Sequence, residues 1–396
     1  MNSKECMELA DKTLMHTYNR YPIVWERGQG VYLYDIEGKE YLDFASGIAV
    51  FALGYNNKEY NEALKKQIDH VIHISNLYYS MPMAYAADKV TKASGMDKVF
   101  FTNSGTEAIE GAIKLAKRYY YDKTGSAEGE IIAMHHSFHG RSTGALAVTG
   151  TKKYRQPFGP LMPGISFAEF NHFESVKALI TDKTCAIILE PVQGEGGIYP
   201  AEQKFLEQIR KLCNEKDIAL IFDEIQCGMG RTGTMFACQD YHILPDIMTV
   251  AKALGCGVPV GAFLAKGKFA DVLVPGDHGT TYGGNPLATA AVCVVFDLFE
   301  KEHILENVNQ VSDYLWKTLE VVMEHHSDKI IAHRGKGLIQ GLEFKEPVNE
   351  IIRKAQKEGL ILIYAGANVI RFVPPLIIQK KHVDTMAEKL EQCLIF

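Results

Sequence analysis

The chain of 396 residues, 47% hydrophobic and 23% charged, is long enough for two or three compact units and lies outside the compositions of disordered, collagen-like and disulfide-dense chains. Its 42 Lys and Arg against 48 Asp and Glu leave a net charge of −6, so there is no basic footprint for a nucleic-acid backbone or an anionic membrane, and small-molecule chemistry is favoured. Eight cysteines without a CxxC pair read as reduced thiols of a cytoplasmic protein. Residues 1–22 lack an apolar targeting core, and the longest apolar stretch, 286–299, is broken by Asp297 and too short to span a bilayer.

In chain order, residues 30–44 (GVYLYDIEGKEYLDF) form two alternating runs around a Glu37/Gly38 turn, which predicts a β-hairpin in an ordered N-terminal arm. Between 51 and 300, short apolar runs at 99–101, 131–134, 185–189, 218–222 and 247–250 alternate with helix-patterned segments such as 108–119. That alternation predicts an α/β unit with a mostly parallel sheet flanked by helices. Beyond 300 the pattern is a helix, short strands at 330–344, a helix near 348–358, strands through 373 and a closing helix from 381. The expected division is a large unit, 51–300, and a smaller α+β unit built from 1–50 and 301–396.

Four segments carry candidate chemistry. The sequence TNSGTE between a strand and a helix puts Gly105 and Thr106 where free backbone amides and the helix dipole favour an anion such as a phosphate. Ser104 and Glu107 also satisfy the S-x-x-E capping-box spacing, which alone explains a helix start with no ligand. Asp223 follows the apolar run 218–222, placing a carboxylate at the C-terminal end of a buried strand, where ligands bind in open α/β sheets. Taken alone, it is equally a turn acid. Lys252 is set in AKALGCGVPVGA, apolar surroundings that depress a lysine pKa and leave an amine able to form a Schiff base with a carbonyl. In HSFHGRS, Phe138 offers an aromatic face and Arg141 a planar fork for a carboxylate. His135 and His139 have i, i+4 spacing but lack the glutamate of HExxH, so a zinc site is not expected. The formal GxGxxG at 228–233 does not open a helix directly after a strand, which argues against a dinucleotide site.

A phosphate cradle, an acid at a strand end, a desolvated lysine and a carboxylate-binding arginine together suit pyridoxal phosphate. The segments FTNSGTEA, SFHGRS, ILEPVQGEGG, FDEIQCGMGRTG, PDIMTVAKALG, HGTTYGGNPLA and VIRFVPPL make the chain resemble, over essentially its whole length, the class III (ω-amino) pyridoxal-phosphate aminotransferases of fold type I.

Several roles are implied by that resemblance. Lys252 would join the cofactor and move the proton, Asp223 would hold the pyridine nitrogen protonated, and Phe138 and Ile225 would flank the ring. Gln226 would lie near the 3′-oxygen and Gly105 with Thr106 on the phosphate, with Thr281 and Thr280 reaching the phosphate side from the neighbouring subunit of a homodimer. Arg371 would meet the α-carboxylate of glutamate and Arg141 the distal carboxylate. A Glu190–Arg371 pair is expected to form when the donor has no carboxylate beside its reacting amine.

The opening LMHTYNRYPIVWERGQG, with SNLYY further on, is most similar to the acetylornithine subfamily, in which Tyr18 matches a substrate-contacting tyrosine. Ile48 stands where the ornithine subfamily has an aromatic residue. The expected reaction is transfer of the δ-amino group of N2-acetyl-L-ornithine to 2-oxoglutarate in arginine biosynthesis. The alternatives are succinylornithine, N-succinyl-diaminopimelate, 4-aminobutyrate or ornithine as donor, or an aminomutase or racemase.

Overall fold

The computed structural model describes residues 1–395. A helix, Ser3–Thr13, precedes a meander of β1 (Trp25–Gln29), β2 (Tyr32–Asp35) and β3 (Glu40–Asp43). Gly38, at φ +83°, makes the β2–β3 turn that the Glu37/Gly38 signal predicts.

The central sheet is built from β4 (Lys98–Thr102), β5 (Glu130–Met134), β6 (Ile165–Ala168) and β7 (Thr184–Leu189). A short antiparallel pair follows, β8 (Val192–Gln193) and β9 (Tyr199–Pro200), and then β10 (Ala219–Asp223), β11 (Ile247–Val250) and β12 (Gly261–Ala265) complete the sheet. Its seven strands run in the order β4-β12-β11-β10-β7-β5-β6. The contacts from β11 through β6 are parallel, and β12 is antiparallel to both of its neighbours.

The side-chain alternation of a strand is visible in the core. Leu220 and Phe222 of β10, with Ile187 and Leu189 of β7, enter one apolar cluster. Ala219, Ile221, Ala186 and Ile188 enter another on the opposite face. The helix Gly105–Thr124 starts at Ser104 and ends at left-handed Gly125, and its inner face buries Ile109, Ala112, Ile113, Leu115 and Ala116. Of these, Ile109, Ile113 and Leu115 each contribute roughly 1.5–3 kcal/mol. At Gly111 a Cβ would lie 2.2 Å from the Phe263 ring on β12, so glycine is what lets this helix seat on the sheet.

After the helices Pro286–Lys301 and Ile304–His325 come β13 (Ile330–Lys336) and β14 (Ile339–Phe344), the helix Asn349–Lys357, then β15 (Leu360–Ile361), β16 (Ile363–Ala365) and β17 (Val369–Phe372). The helix Lys380–Leu394 closes the chain. β15 joins the N-terminal meander parallel to β3, and β13-β14-β17-β16 form a separate antiparallel sheet. Fully buried Arg231 donates to Leu338 O and Pro374 O, tying the loop after β10 to this C-terminal region.

Residues Ser46, Gly47, Ile48 and Ala49 follow β3 and all have φ between 45° and 67°, a left-handed turn that costs about 1–2 kcal/mol per non-glycine residue. Buried Asp43 holds it by accepting from Ala45 N (2.8 Å) and Ser46 N (3.0 Å), and Tyr55 OH donates to its other oxygen at 2.6 Å.

Candidate active site

The C-terminal ends of β4, β7, β10 and β11 open into a cavity of about 460 Å³. Gly105, Thr106, Phe138, Arg141, Glu190, Asp223, Ile225, Gln226 and Lys252 line it, so nine of the residues picked out from the sequence share one space. A crevice beyond the carboxyl ends of the strands is where an open α/β sheet presents its ligand site.

Asp223 ends β10 and is 4% exposed. Its Oδ1 accepts from Ile225 N at 3.0 Å and from Thr249 Oγ1 at 3.2 Å, and its Oδ2 pairs with His139 Nδ1 at 2.7 Å. Fully buried His139 thus fixes Asp223 rather than a metal. With a zinc site at His135 and His139 set aside, His139 has no role readable from the sequence, because its partner lies 84 residues away.

Lys252 follows β11 with φ +49°, a conformation uncommon for a side-chain-bearing residue and found at functional sites. Burial pushes its amine below the ordinary lysine value, against the pull of Glu195, Asp223 and Glu190. The helix start expected to hold an anion is formed as the sequence predicts a helix to begin: Ser104 caps the helix Gly105–Thr124 by accepting from Glu107 N, while the Glu107 carboxylate reaches Asn103 N at 2.8 Å instead of closing a capping box on Ser104. At Gly105 a Cβ would lie 2.8 Å from Ile225 Cδ1, so any side chain there would push the Ile225 side chain aside. Arg141 is exposed, with its guanidinium 3.9 Å from the Tyr154 ring centroid and 5.6 Å from that of Phe138.

The carboxylate partner of Arg371 corrects the sequence reading. The expected Glu190–Arg371 pair does not form. Arg371, on β17 and 3% exposed, donates from Nη1 to Glu195 Oε1 at 2.6 Å and to Gln226 Oε1 at 2.9 Å, and Gln226 Nε2 donates to Glu195 at 3.3 Å. Register explains the difference. Leu189 pairs with Phe222, so the next residues, Glu190 and Asp223, leave adjacent strand ends side by side. Burial, and then the Asp223 charge, push the Glu190 carboxyl well above its ordinary value while it accepts from Phe138 N at 3.2 Å. Five residues on, past β8, Glu195 reaches Arg371. Burial raises its carboxyl, but Arg371 and then Lys252 outweigh that and leave it below the ordinary value.

The remaining expectations fall outside the cavity lining. Tyr18 is 71% exposed and Thr281 is exposed. Thr280 Oγ1 accepts from Gly283 N at 3.0 Å and from Asn103 Nδ2 at 3.4 Å, close to the start of the helix Gly105–Thr124.

The class-III aminotransferase family model matches residues 13–394, and the chain belongs to that family. The acetylornithine aminotransferase of Methanocaldococcus jannaschii is 44% identical over 99% of this chain and 98% of its own length, and that of Gloeobacter violaceus is 46% identical over 96% and 95%. Among solved structures, the ornithine aminotransferase of Toxoplasma gondii superposes with a TM-score of 0.96 at 27% identity, covering all of this chain and 94% of that one. The N-acetylornithine aminotransferase of Stenotrophomonas maltophilia gives 0.83 at 34% identity, covering 98% of each chain. The protein is an aminotransferase of fold type I, a class whose members use pyridoxal phosphate.

Proposed function

We propose that the protein transfers the δ-amino group of N2-acetyl-L-ornithine to 2-oxoglutarate, giving N-acetyl-L-glutamate 5-semialdehyde and L-glutamate, with pyridoxal 5′-phosphate in the β-strand-end cavity. The residues present fit that cofactor: a depressed-pKa lysine, helix-terminal amides at Gly105 and Thr106, a tightly held carboxylate and an aromatic ring line one space. When bound, pyridoxal phosphate supplies a carbonyl that carries the amino group between two substrates and a ring that accepts the electron pair left when a substrate C–H bond breaks.

The chain's own residues do the rest. Gly105 and Thr106 would hold the phosphate, Phe138 and Ile225 would flank the ring, and Gln226 would serve the 3′-oxygen side. Asp223, oriented by Thr249, Ile225 N and His139, would keep a proton on the ring nitrogen. Lys252 Nζ, once deprotonated, would take the proton from the reacting substrate carbon and deliver it to the former carbonyl carbon of the cofactor, which is what moves the amino group rather than restoring the starting amine.

The observation that carries the substrate reading is the Arg371–Glu195–Gln226 cluster. One site must accept glutamate, with a carboxylate beside its amine, and an ω-amine with only CH₂ there. An internal carboxylate that neutralises Arg371 when the substrate brings none meets both demands, since an unpaired buried cation is costly. Arg141 then takes the remaining carboxylate of either substrate. The acetylated donor follows the names of the relatives at 44–46% identity.

The test is a titration of the purified holoprotein with N2-acetylornithine alone, following its visible cofactor absorbance. Loss of the band at low concentration supports the reading. Bleaching by glutamate but not by acetylornithine moves the donor to another ω-amine.

We also place the enzyme in the cytoplasm as a homodimer whose Thr281 and Thr280 serve the neighbouring site. Among the described residues no helix is long and apolar enough to cross a membrane. Exposed Leu77, Tyr78, Tyr79 and Tyr282 supply an apolar surface beside Thr281 that a second copy would cover.

A further inference from the structure

The cavity with the greater volume, about 750 Å³, is not the one holding Lys252. It lies between the N-terminal arm and the helix Asn349–Lys357. Arg20, Lys39, Arg353 and Lys357 line it with the rings of Tyr21 and Tyr364, and no carboxylate does. Arg353 and Lys357 stand i, i+4 on the helix, while Arg20 comes from the arm opposite. Like charges at that spacing destabilise a helix by a few tenths of a kcal/mol.

Several cations elsewhere on the helices have acids beside them, as Lys4, Lys65, Lys92 and Lys211 do within a helical turn. None of Arg20, Arg353 and Lys357 has a carboxylate within ion-pair distance among the described residues. Lys39 is engaged differently: its Nζ donates to Lys357 O at 2.7 Å and Gln356 O at 3.3 Å. It therefore neutralises the negative end of the helix, which would otherwise repel an anion.

We propose that this cavity binds a small multivalent anion of carboxylate or phosphate type, held by Arg20, Arg353 and Lys357. Two planar guanidinium forks and an ammonium, all exposed and lining one cavity from two elements, suit several oxygens on one compact ligand. The site is coupled to the catalytic cavity by one strand pair. Tyr364 lines the anion cavity from β16, its carbonyl accepts from Arg371 Nη2 at 3.4 Å, and Ile363 pairs with Arg371 across β16 and β17. An occupant gripping the Tyr364 side therefore acts one residue from the arginine backbone.

The experiment is calorimetric titration of the holoenzyme with pyrophosphate and, separately, citrate, at constant ionic strength. Holoenzyme is used so that the phosphate cradle at Gly105 is filled. Saturable binding of at least one of them, one per chain, is expected, and the tighter of the two identifies the ligand type. Arg353→Gln/Lys357→Gln should weaken it at least tenfold with unchanged turnover in the absence of anion. Arg20→Gln, on a separate element, should weaken it as well, which guards against a misfolded helix variant. No saturable binding, or binding equally tight in the variants, overturns the proposal. These readouts are independent of which amine the enzyme accepts.

Discussion

Replacing Glu195 by alanine strands a guanidinium that is 3% exposed, leaving it Gln226 Oε1 and the Tyr364 carbonyl as acceptors. Two unit charges about 4 Å apart interact by ~4 kcal/mol at an effective dielectric near 20. Glu195 is 25% exposed, so water screens part of this and ~3 kcal/mol is the working figure. The loss falls unequally on the two half-reactions. Glutamate brings its own carboxylate to Arg371 and no longer has to displace Glu195, whereas an ω-amine meets an uncompensated cation. With each ~1.4 kcal/mol worth tenfold, the ratio of kcat/KM for glutamate to that for acetylornithine should rise by roughly a hundredfold. Single-turnover stopped-flow absorbance on the holoenzyme, one substrate at a time, measures both values. Glu195→Gln, which keeps an acceptor without the charge, should fall between. A variant in which both half-reactions drop by the same factor would refute the division of labour between Glu195 and the substrate carboxylate.

Asp223→Asn should reduce turnover far more than cofactor affinity, checked by comparing kcat with the dissociation constant for pyridoxal phosphate; equal turnover in variant and parent would remove Asp223 from its assigned role. Gly111→Ala drives a methyl into the Phe263 ring, and overpacking of this kind costs about 1–3 kcal/mol, visible as a lower urea midpoint that Phe263→Leu should partly restore. Burial pushes the Glu224 carboxyl up to about 7, against the opposing backbone amides of Cys238 and Ala237. Its folded value is raised above the unfolded one, so its contribution is present below about 4.5 and lost as pH rises to about 7. That loss is ~3 kcal/mol in order of magnitude. Denaturation profiles of the parent should show this fall, and Glu224→Gln, although less stable overall, should lack it.

Much of this fold is legible in periodicity. The apolar runs at 99–101, 131–134, 185–189, 218–222 and 247–250 correspond to β4, β5, β7, β10 and β11, because strands buried on both faces are nearly continuous apolar segments. Several elements were not anticipated. The run ISFA of β6 is only four residues long, β12 emerges from a glycine-rich stretch, and the helix Ser3–Thr13 buries no residue and so carries little hydrophobic pattern.

At the site, residues adjacent to strand ends were readable: Asp223 and Lys252 each follow an apolar run. What was not readable depends on where loops travel. Choosing between the two glutamates of ILEPVQGEGG requires the path of β8 and β9, pairs of residues too short to announce themselves. Strand order offered a clue. If the runs 185–189 and 218–222 are neighbours in register, Glu190 must sit beside Asp223, which leaves Glu195 for the arginine. The His139–Asp223 contact likewise needs β5 and β10 positioned around β7 before it can be seen.

The pairing of β3 with β15 has a consequence for how the chain is made. Lys39 donates to Gln356, 317 residues later, and Leu42 pairs with Leu360. At synthesis rates of 5–20 residues per second, roughly 15–60 s separate the appearance of these two edges at the ribosome. Throughout that interval the N-terminal meander exposes the open edge of β3, an invitation to mispairing. The central sheet, whose strands are all made by residue 265, can assemble meanwhile. The last part of the enzyme to form is thus the one whose first strands were translated earliest, and exposure of that edge on nascent chains is where a chaperone requirement would arise.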